Sequence, residues 1–176
     1  MSTIPGKLVE GVFKKVLAPD LSAGLKTELA SAGLDLSAPA PESYPRTTWY
    51  KAIELTAKQL YPSEAGPAQQ RRLGMHIIES LQARGIVKGA WLTAARFMGP
   101  RRALKQAMDF TDRSPVKVTI TERSKSEFLV TADDTEQPEF LAGLLEAAIK
   151  MLGGKSPTVA LEGIKGNESH FRATWG

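Results

Sequence analysis

The sequence predicts an α+β fold: an N-terminal helical layer packed on a small antiparallel four-stranded sheet, with a helix inserted between strands 2 and 3. Three observations carry this. Through the first two thirds of the chain the apolar residues recur at helical spacing, interrupted by Pro and Gly. From Val116 the spacing becomes alternation, with Val116, Val118 and Ile120 on one face and Lys117, Thr119 and Thr121 on the other. A single Leu-rich run then separates two pairs of alternating segments. Such a sheet is apolar on one side and must lay that side against something. The helical part is the natural cover. The chain therefore reads as one domain, 1–176, with a helical part over 1–112 and a strand-strand-helix-strand-strand part over 113–176.

Taken in order, Glu10 to Leu17 carries Val12, Phe13, Val16 and Leu17 on one helical face, and Pro19 stops it. Asp20 is the expected N-cap of a second helix with Leu21, Leu25 and Leu29 in line. Gly33-Leu34 is its expected stop. The stretch Ser37-Ala38-Pro39-Ala40-Pro41-Glu42-Ser43 is a connection. Pro45 is the expected first helical residue of a stripe formed by Trp49, Ile53, Ala57 and Leu60, closed by Tyr61-Pro62. After Pro67 a long tract presents Leu73, Ile77, Ile78 and Leu81. Gly85 and Gly89 interrupt it, and Trp91, Leu92, Ala95 and Phe97 resume the apolar face. Gly99-Pro100 ends one helix and starts another with Ala103, Leu104, Ala107 and Met108 on its apolar side.

In the second part the polar run Glu122 to Glu127 is the expected hairpin connection, followed by Phe128-Leu129-Val130-Thr131. Pro138 opens a helix whose expected buried face is Leu141, Leu144, Leu145, Ala148 and Leu152, closed by Gly153-Gly154. Val159 and Leu161 begin the third strand. Lys165-Gly166-Asn167-Glu168 forms a tight turn, and Phe171, Ala173 and Trp175 face inward on the fourth.

Of 176 residues, 42% are hydrophobic and 24% charged, the proportions of a globular chain long enough for a real core. There is no Cys, which excludes disulfides, thiolate nucleophiles and Cys-ligated metals and fits a reducing compartment. The N-terminus lacks the apolar core of a signal peptide, and no apolar run reaches membrane-spanning length. The expectation is a soluble, cytoplasmic protein. Its net charge of +4 is unevenly spread: residues 1–57 are neutral, residues 58–105 carry nine basic and two acidic side chains, and residues 106–176 carry eight basic and eleven acidic ones. A basic middle joined to an acidic end can steer an anionic partner or a second copy, and it is also what scattered charge on solvated helices looks like.

The phrases Glu10-Gly11-Val12-Phe13, Tyr44-Pro45, Leu73-Gly74 and Met98-Gly99-Pro100-Arg101-Arg102-Ala103-Leu104, followed by the strand-strand-helix-strand-strand order, resemble a lineage-restricted family of uncharacterised proteins expanded in myxobacteria. More distantly the layout is similar to haem–nitric-oxide-binding domains, four-vinyl-reductase domains and subunits of the vesicle-tethering transport particle. That resemblance implies a helical layer over an antiparallel sheet, and either an apolar ligand or dimer formation. In the haem-binding relatives a His follows the helix that here ends near Met108, and a Tyr-x-Ser-x-Arg motif clamps the propionates. The corresponding stretches here are Met108-Asp109-Phe110-Thr111-Asp112-Arg113-Ser114 and Val130-Thr131-Ala132-Asp133-Asp134. Neither carries the required residues, and two carboxylates oppose propionates. The resemblance thus implies no haem.

Residue chemistry adds little beyond this. The chain has two His. His170 falls on the polar parity of its strand, and His76 lies at the edge of an apolar stripe, where local hydrogen bonding explains it better than ligation. No nucleophile elbow, phosphate loop or metal-binding helix motif occurs. Asp133-Asp134 before a helix favour its dipole. Arg101 and Arg102 oppose one, which calls for a carboxylate from the acidic end or an anionic partner. No nucleic-acid motif is present, and Trp91 and Phe97 sit at core spacing. Two functional readings follow. One is a non-enzymatic regulatory or scaffolding module acting through a protein partner or self-association, with Arg71, Arg72, Arg101, Arg102 and Lys105 as interface candidates. The other is a sensor holding a small apolar ligand between the layer and the sheet, with Trp49, Ile53, His76, Phe97 and Met108 as pocket candidates. Neither requires a catalytic residue, a metal, a cofactor, nucleic acid or a membrane span.

Overall fold

The computed structural model of the chain describes residues 3–87, 89–109 and 116–176, the side chains of 107–109 excepted. Two short strands, β1 (Thr3–Pro5) and β2 (Ser43–Pro45), pair antiparallel and bring Ile4 opposite Tyr44. The first helix, α1 (Gly6–Glu10), runs into a π-helical stretch, Gly11–Val16, and then a 3-10 turn, Ala18–Asp20. Asp20 therefore lies inside that turn. The N-cap of α2 (Ala23–Ser31) is Ser22 instead, whose hydroxyl accepts from the Leu25 amide at 3.1 Å. The expected stop is present, with the Leu34 amide donating to the Leu29 carbonyl at 2.8 Å.

Pro45 caps α3 (Arg46–Leu60) from the end of β2, one residue before the helix begins. The long helix α4 (Gly66–Ala83) follows, then α5 (Gly89–Asp109). The latter is two helices joined at Gly99, whose φ of 78° and ψ of 162° break the helix just ahead of Pro100.

Strands β3 (Val118–Ser124) and β4 (Glu127–Ala132) come next, then α6 (Pro138–Met151), β5 (Thr158–Lys165) and β6 (Glu168–Thr174). The connection expected over Glu122 to Glu127 is thus mostly strand, and the turn itself is Lys125-Ser126. The four strands form one antiparallel sheet in the order β3-β4-β6-β5. Phe171 pairs with Val130 on one side and Leu161 on the other, so strict alternation puts Phe128, Val130, Ala132, Phe171 and Ala173 on one buried face. Trp175 completes that face, its ring edge-on to Phe128 with centroids 5.0 Å apart.

Two apolar cores result. The helical core gathers Phe13, Leu17, Leu25, Leu29, Ile53 and Leu73; the sheet core gathers Phe128, Val130, Phe171 and Trp175 with Ala95, Ala103 and Leu104 of α5. Burial of each large side chain is worth about 1.5–3 kcal/mol. Helix α6 touches both cores, and its crossing with α4 joins them. At that crossing a Cβ on Gly74 would overlap the Phe140 carbonyl, and one on Gly143 would overlap the Arg71 carbonyl. The two backbones are in direct contact, which only glycine permits here.

Candidate functional site

Helix α6 presents three apolar strips. Phe140 and Gly143 meet α4, while Ala142, Ile149 and Leu152 belong to the sheet core. Between them lies the strip Leu141, Leu144, Leu145 and Ala148, and all four of these residues are only partly buried. The sequence places them in the core. The structure places them on the wall of a cavity of about 450 Å³ between the helical layer and the sheet.

The remaining walls come from every layer of the fold. Ile4, Leu8 and Val12 descend from β1, α1 and the π-helical stretch. Trp49 comes from α3, Ile77, Ile78 and Leu81 from α4, and Leu104 from α5. Val116, Val118, Val130 and Ala132 close the sheet side. Apart from Asp134, every lining residue among those described is apolar. Trp49 is held edge-on by Phe13 and Phe140, with centroids at 6.0 and 6.2 Å.

Asp134 is 5% exposed. Its Oδ1 accepts from the Glu136 amide at 3.0 Å, and its backbone carbonyl accepts from the Ser169 hydroxyl at 2.6 Å. The residue therefore shapes the turn before α6, while the N-cap position of that helix is Gln137, which makes no side-chain cap. Gln137 donates to the Tyr50 carbonyl at 2.8 Å. Burial first, then the charge of Asp134, pushes the Tyr50 hydroxyl up to about 12. Arg46 is anchored to Asp133, donating to its carbonyl at 3.4 Å with Nη2 3.9 Å from Oδ1. The Asp133 carboxylate also accepts from the Lys117 amide at 2.7 Å.

Of the pocket candidates, Trp49 lines this cavity. Ile53 does not: it is fully buried inside the helical core. His76 is a link in a hydrogen-bonded chain outside the cavity, with Nδ1 2.9 Å from the Tyr61 hydroxyl and Nε2 3.2 Å from Asp20 Oδ2, which Arg84 also reaches at 3.4 Å. Phe97, expected at a core position, is 95% exposed; that helical half meets the rest of the fold through buried Ala95 and through Arg96, whose Nε donates to the Met151 carbonyl at 2.9 Å. The side chain of Met108 lies outside the described residues.

Of the interface candidates, Arg71 is used internally. It reaches Glu139 at 2.8 Å, Glu146 at 2.7 Å and the Val159 carbonyl at 2.8 Å, tying α4 to α6 and β5. Arg72 lies over the Tyr61 ring at 5.7 Å and pairs with Glu64 at 3.4 Å. Arg101 meets Glu122 of β3 at 2.6 Å, the carboxylate partner its place at a helix start calls for. Arg102 and Lys105 are exposed. A second, more open cleft of about 620 Å³ beside Phe13, Lys14, Lys26 and Asp35 contains none of the candidates. No group of His, Cys, Asp or Glu among the described residues is arranged to hold a metal, and no helix among them is long and apolar enough to cross a membrane.

The family model described as "Protein of unknown function (DUF2378)" matches residues 2–176. No curated protein matches the sequence. Solved structures do match the fold. An H-NOX protein from S. oneidensis in the Fe(II)NO ligation state is similar with a TM-score of 0.65 at 11% identity, covering 98% of this chain and 99% of that one. An oxygen-binding H-NOX domain related to soluble guanylate cyclases gives 0.62 at 11%, covering 98% and 95%. An unliganded Fe(II) H-NOX mutant from K. algicida gives 0.61 at 11%, covering 96% and 95%. At such identities the likeness is one of fold. The α+β arrangement expected from the sequence and its resemblance to haem–nitric-oxide-binding domains are accordingly shown at the level of architecture.

Haem does not fit the donor set found here. Proteins hold haem iron through His, Cys, Tyr or a Met–His pair. The chain has no Cys, its two His and three Tyr all lie off the cavity wall, and among the described residues the single charged lining group is a carboxylate, of the same sign as a propionate.

Proposed function

We propose, for a chain that belongs to the family described as protein of unknown function (DUF2378), a non-enzymatic sensor that holds a small apolar molecule between its helical layer and its sheet. The observation that carries this reading is the Leu141, Leu144, Leu145, Ala148 strip of α6, half-buried against the two cores and lining a cavity of about 450 Å³. Ligand sites are concave, mostly apolar and about 300–1,000 Å³ in volume, and an apolar cavity stays dry until an apolar guest fills it. Fold-level analogy lends weaker support, since one structural neighbour is described as an oxygen-binding domain related to soluble guanylate cyclases. The test is native mass spectrometry of the freshly purified chain, followed by calorimetric titration with 1-octanol. Ala148→Phe fills the cavity; it should leave the fold intact and abolish binding. If Ala148→Phe binds octanol as tightly as the parent, the molecule is held elsewhere and the reading is wrong.

A second reading concerns output. The first half of α5 exposes Phe97 almost completely and Trp91 and Met98 by 37% each, and in its second half Arg102 and Lys105 are exposed. Exposed apolar side chains and cations on one element suit a protein partner or a second copy of the chain. Sedimentation at 0.1 M and 1 M salt tests it, because the Debye length shrinks from about 10 Å to about 3 Å over that range. Association should weaken with salt and disappear in Phe97→Ser/Arg102→Glu. Association unaffected by both would reject this surface.

A further inference from the structure

Among the described residues, Asp134 is the only ionisable side chain that lines the cavity, and at 5% exposure it has little water to solvate it. Oδ1 receives one backbone amide, from Glu136. The Tyr50 hydroxyl, itself hydrogen-bonded to both Asp134 and Arg46, is a neutral donor. The one guanidinium of the cluster, Arg46, also serves Asp133 through its carbonyl and carboxylate. Arg46 is thus shared between the two carboxylates, and among the described residues no cation lines the cavity. An ionised carboxylate has room for about four hydrogen-bond donors, so those supplied here leave acceptor capacity. Burying such a group is costly unless it is paired, and the cavity is where the missing partner can sit.

Resting on the sensor reading above, we infer that the cavity selects an apolar molecule with a cationic, hydrogen-bond-donating head, an aliphatic or aromatic amine, seated with its head against Asp134 and its body along the Leu strip of α6. The same arrangement rejects fatty acids and other apolar anions. A neutral alcohol can donate one hydrogen bond to the carboxylate but brings no positive charge to offset it.

The experiment is calorimetric titration of the full chain at pH 7 and fixed salt with three probes of one chain length: octylamine, 1-octanol and octanoate. Hydrogen bonds to charged groups are strong enough that octylamine should bind about tenfold tighter than octanol or better, with octanoate weakest. In Asp134→Asn the advantage of the amine should vanish while octanol binds as before. If octanol binds but octylamine is no tighter, or octanoate is tightest, or the amine preference survives in Asp134→Asn, the head-group inference is overturned and the sensor reading stands. If none of the three binds, the sensor reading itself fails. The ranking of probes on the unmodified chain decides the matter even where Asp134→Asn does not fold.

Discussion

Helix α6 has two seams that differ in kind. Against α4 it is closed to backbone contact at Gly74 and Gly143 and locked by Arg71 between Glu139 and Glu146. Roughly 100° or more around the same helix, Leu141, Leu144, Leu145 and Ala148 are half-buried and line the cavity. Both strips are apolar and both carry helical periodicity, so hydrophobicity does not separate them. Side-chain size does. Glycine and alanine draw the first seam together, and the crossing fixes how far α6 stands from the sheet along the second. The leucines line what remains together with Val118, Val130 and Ala132 of β3 and β4. A tight joint on one side of a helix sets a gap on the other.

The largest effect expected is on fully closed packing. Trp175→Ala removes an inward ring from the sheet core and should cost about 3–5 kcal/mol in chemical denaturation; an unchanged midpoint would mean that the sheet face is not closed as described. The direct contrast is a pair of identical truncations. Leu73→Ala, at a fully buried position of α4, should cost about 2–5 kcal/mol. Leu145→Ala, on the cavity wall, should cost only about 1 kcal/mol, since less of the side chain leaves contact. Equal losses would show that no open seam exists. Gly143→Ala should cost about 1–3 kcal/mol through overlap at the Arg71 carbonyl, and it should change ligand binding as well, because spreading α4 from α6 alters the width of the cavity.

The smallest effect is electrostatic. The Tyr50 hydroxyl, held near 12 against an ordinary value of 10, keeps its proton longer in the folded chain than in the unfolded one. Its contribution to stability is therefore whole below pH 10 and is lost as the pH rises from 10 to about 12. Tyr50→Phe should flatten that part of the alkaline stability profile. Tyr44 and Tyr61, also raised by burial, will retain a slope of their own, so a profile identical to the parent would remove Tyr50 from the cluster beside the cavity.

Much of this architecture is written locally. The parity of Phe171, Ala173 and Trp175, the Gly166-Asn167 turn and the Gly33-Leu34 stop are each decided by neighbours within a few residues, and each stands as expected from sequence. The candidate site is not written that way. The Leu strip of α6 gives the same signal whether the space opposite is filled or empty, and Phe97 has the same spacing whether or not another element covers it. Arg71 resembles a free surface cation until Glu139 and Glu146, 68 and 75 residues away, are brought to it. Asp134 is visible in sequence as one of two carboxylates before a helix, a setting that suggests a role at the helix terminus and conceals the cavity on its other side. Strands of three residues, such as β1 and β2, are too short to show alternation at all.

The break in α5 bears on how the sequence can drift. Gly99 has a φ of 78° with a ψ of 162°, a combination open to glycine and to essentially no other residue. Around it, exposed positions such as Thr93, Phe97 and Lys105 meet little and can be exchanged at small cost. Across related chains, position 99 should therefore stay fixed in composition while the helix on either side diverges. A relative that lost this glycine would need a different joint ahead of Pro100, and with it a different surface at residues 91–98.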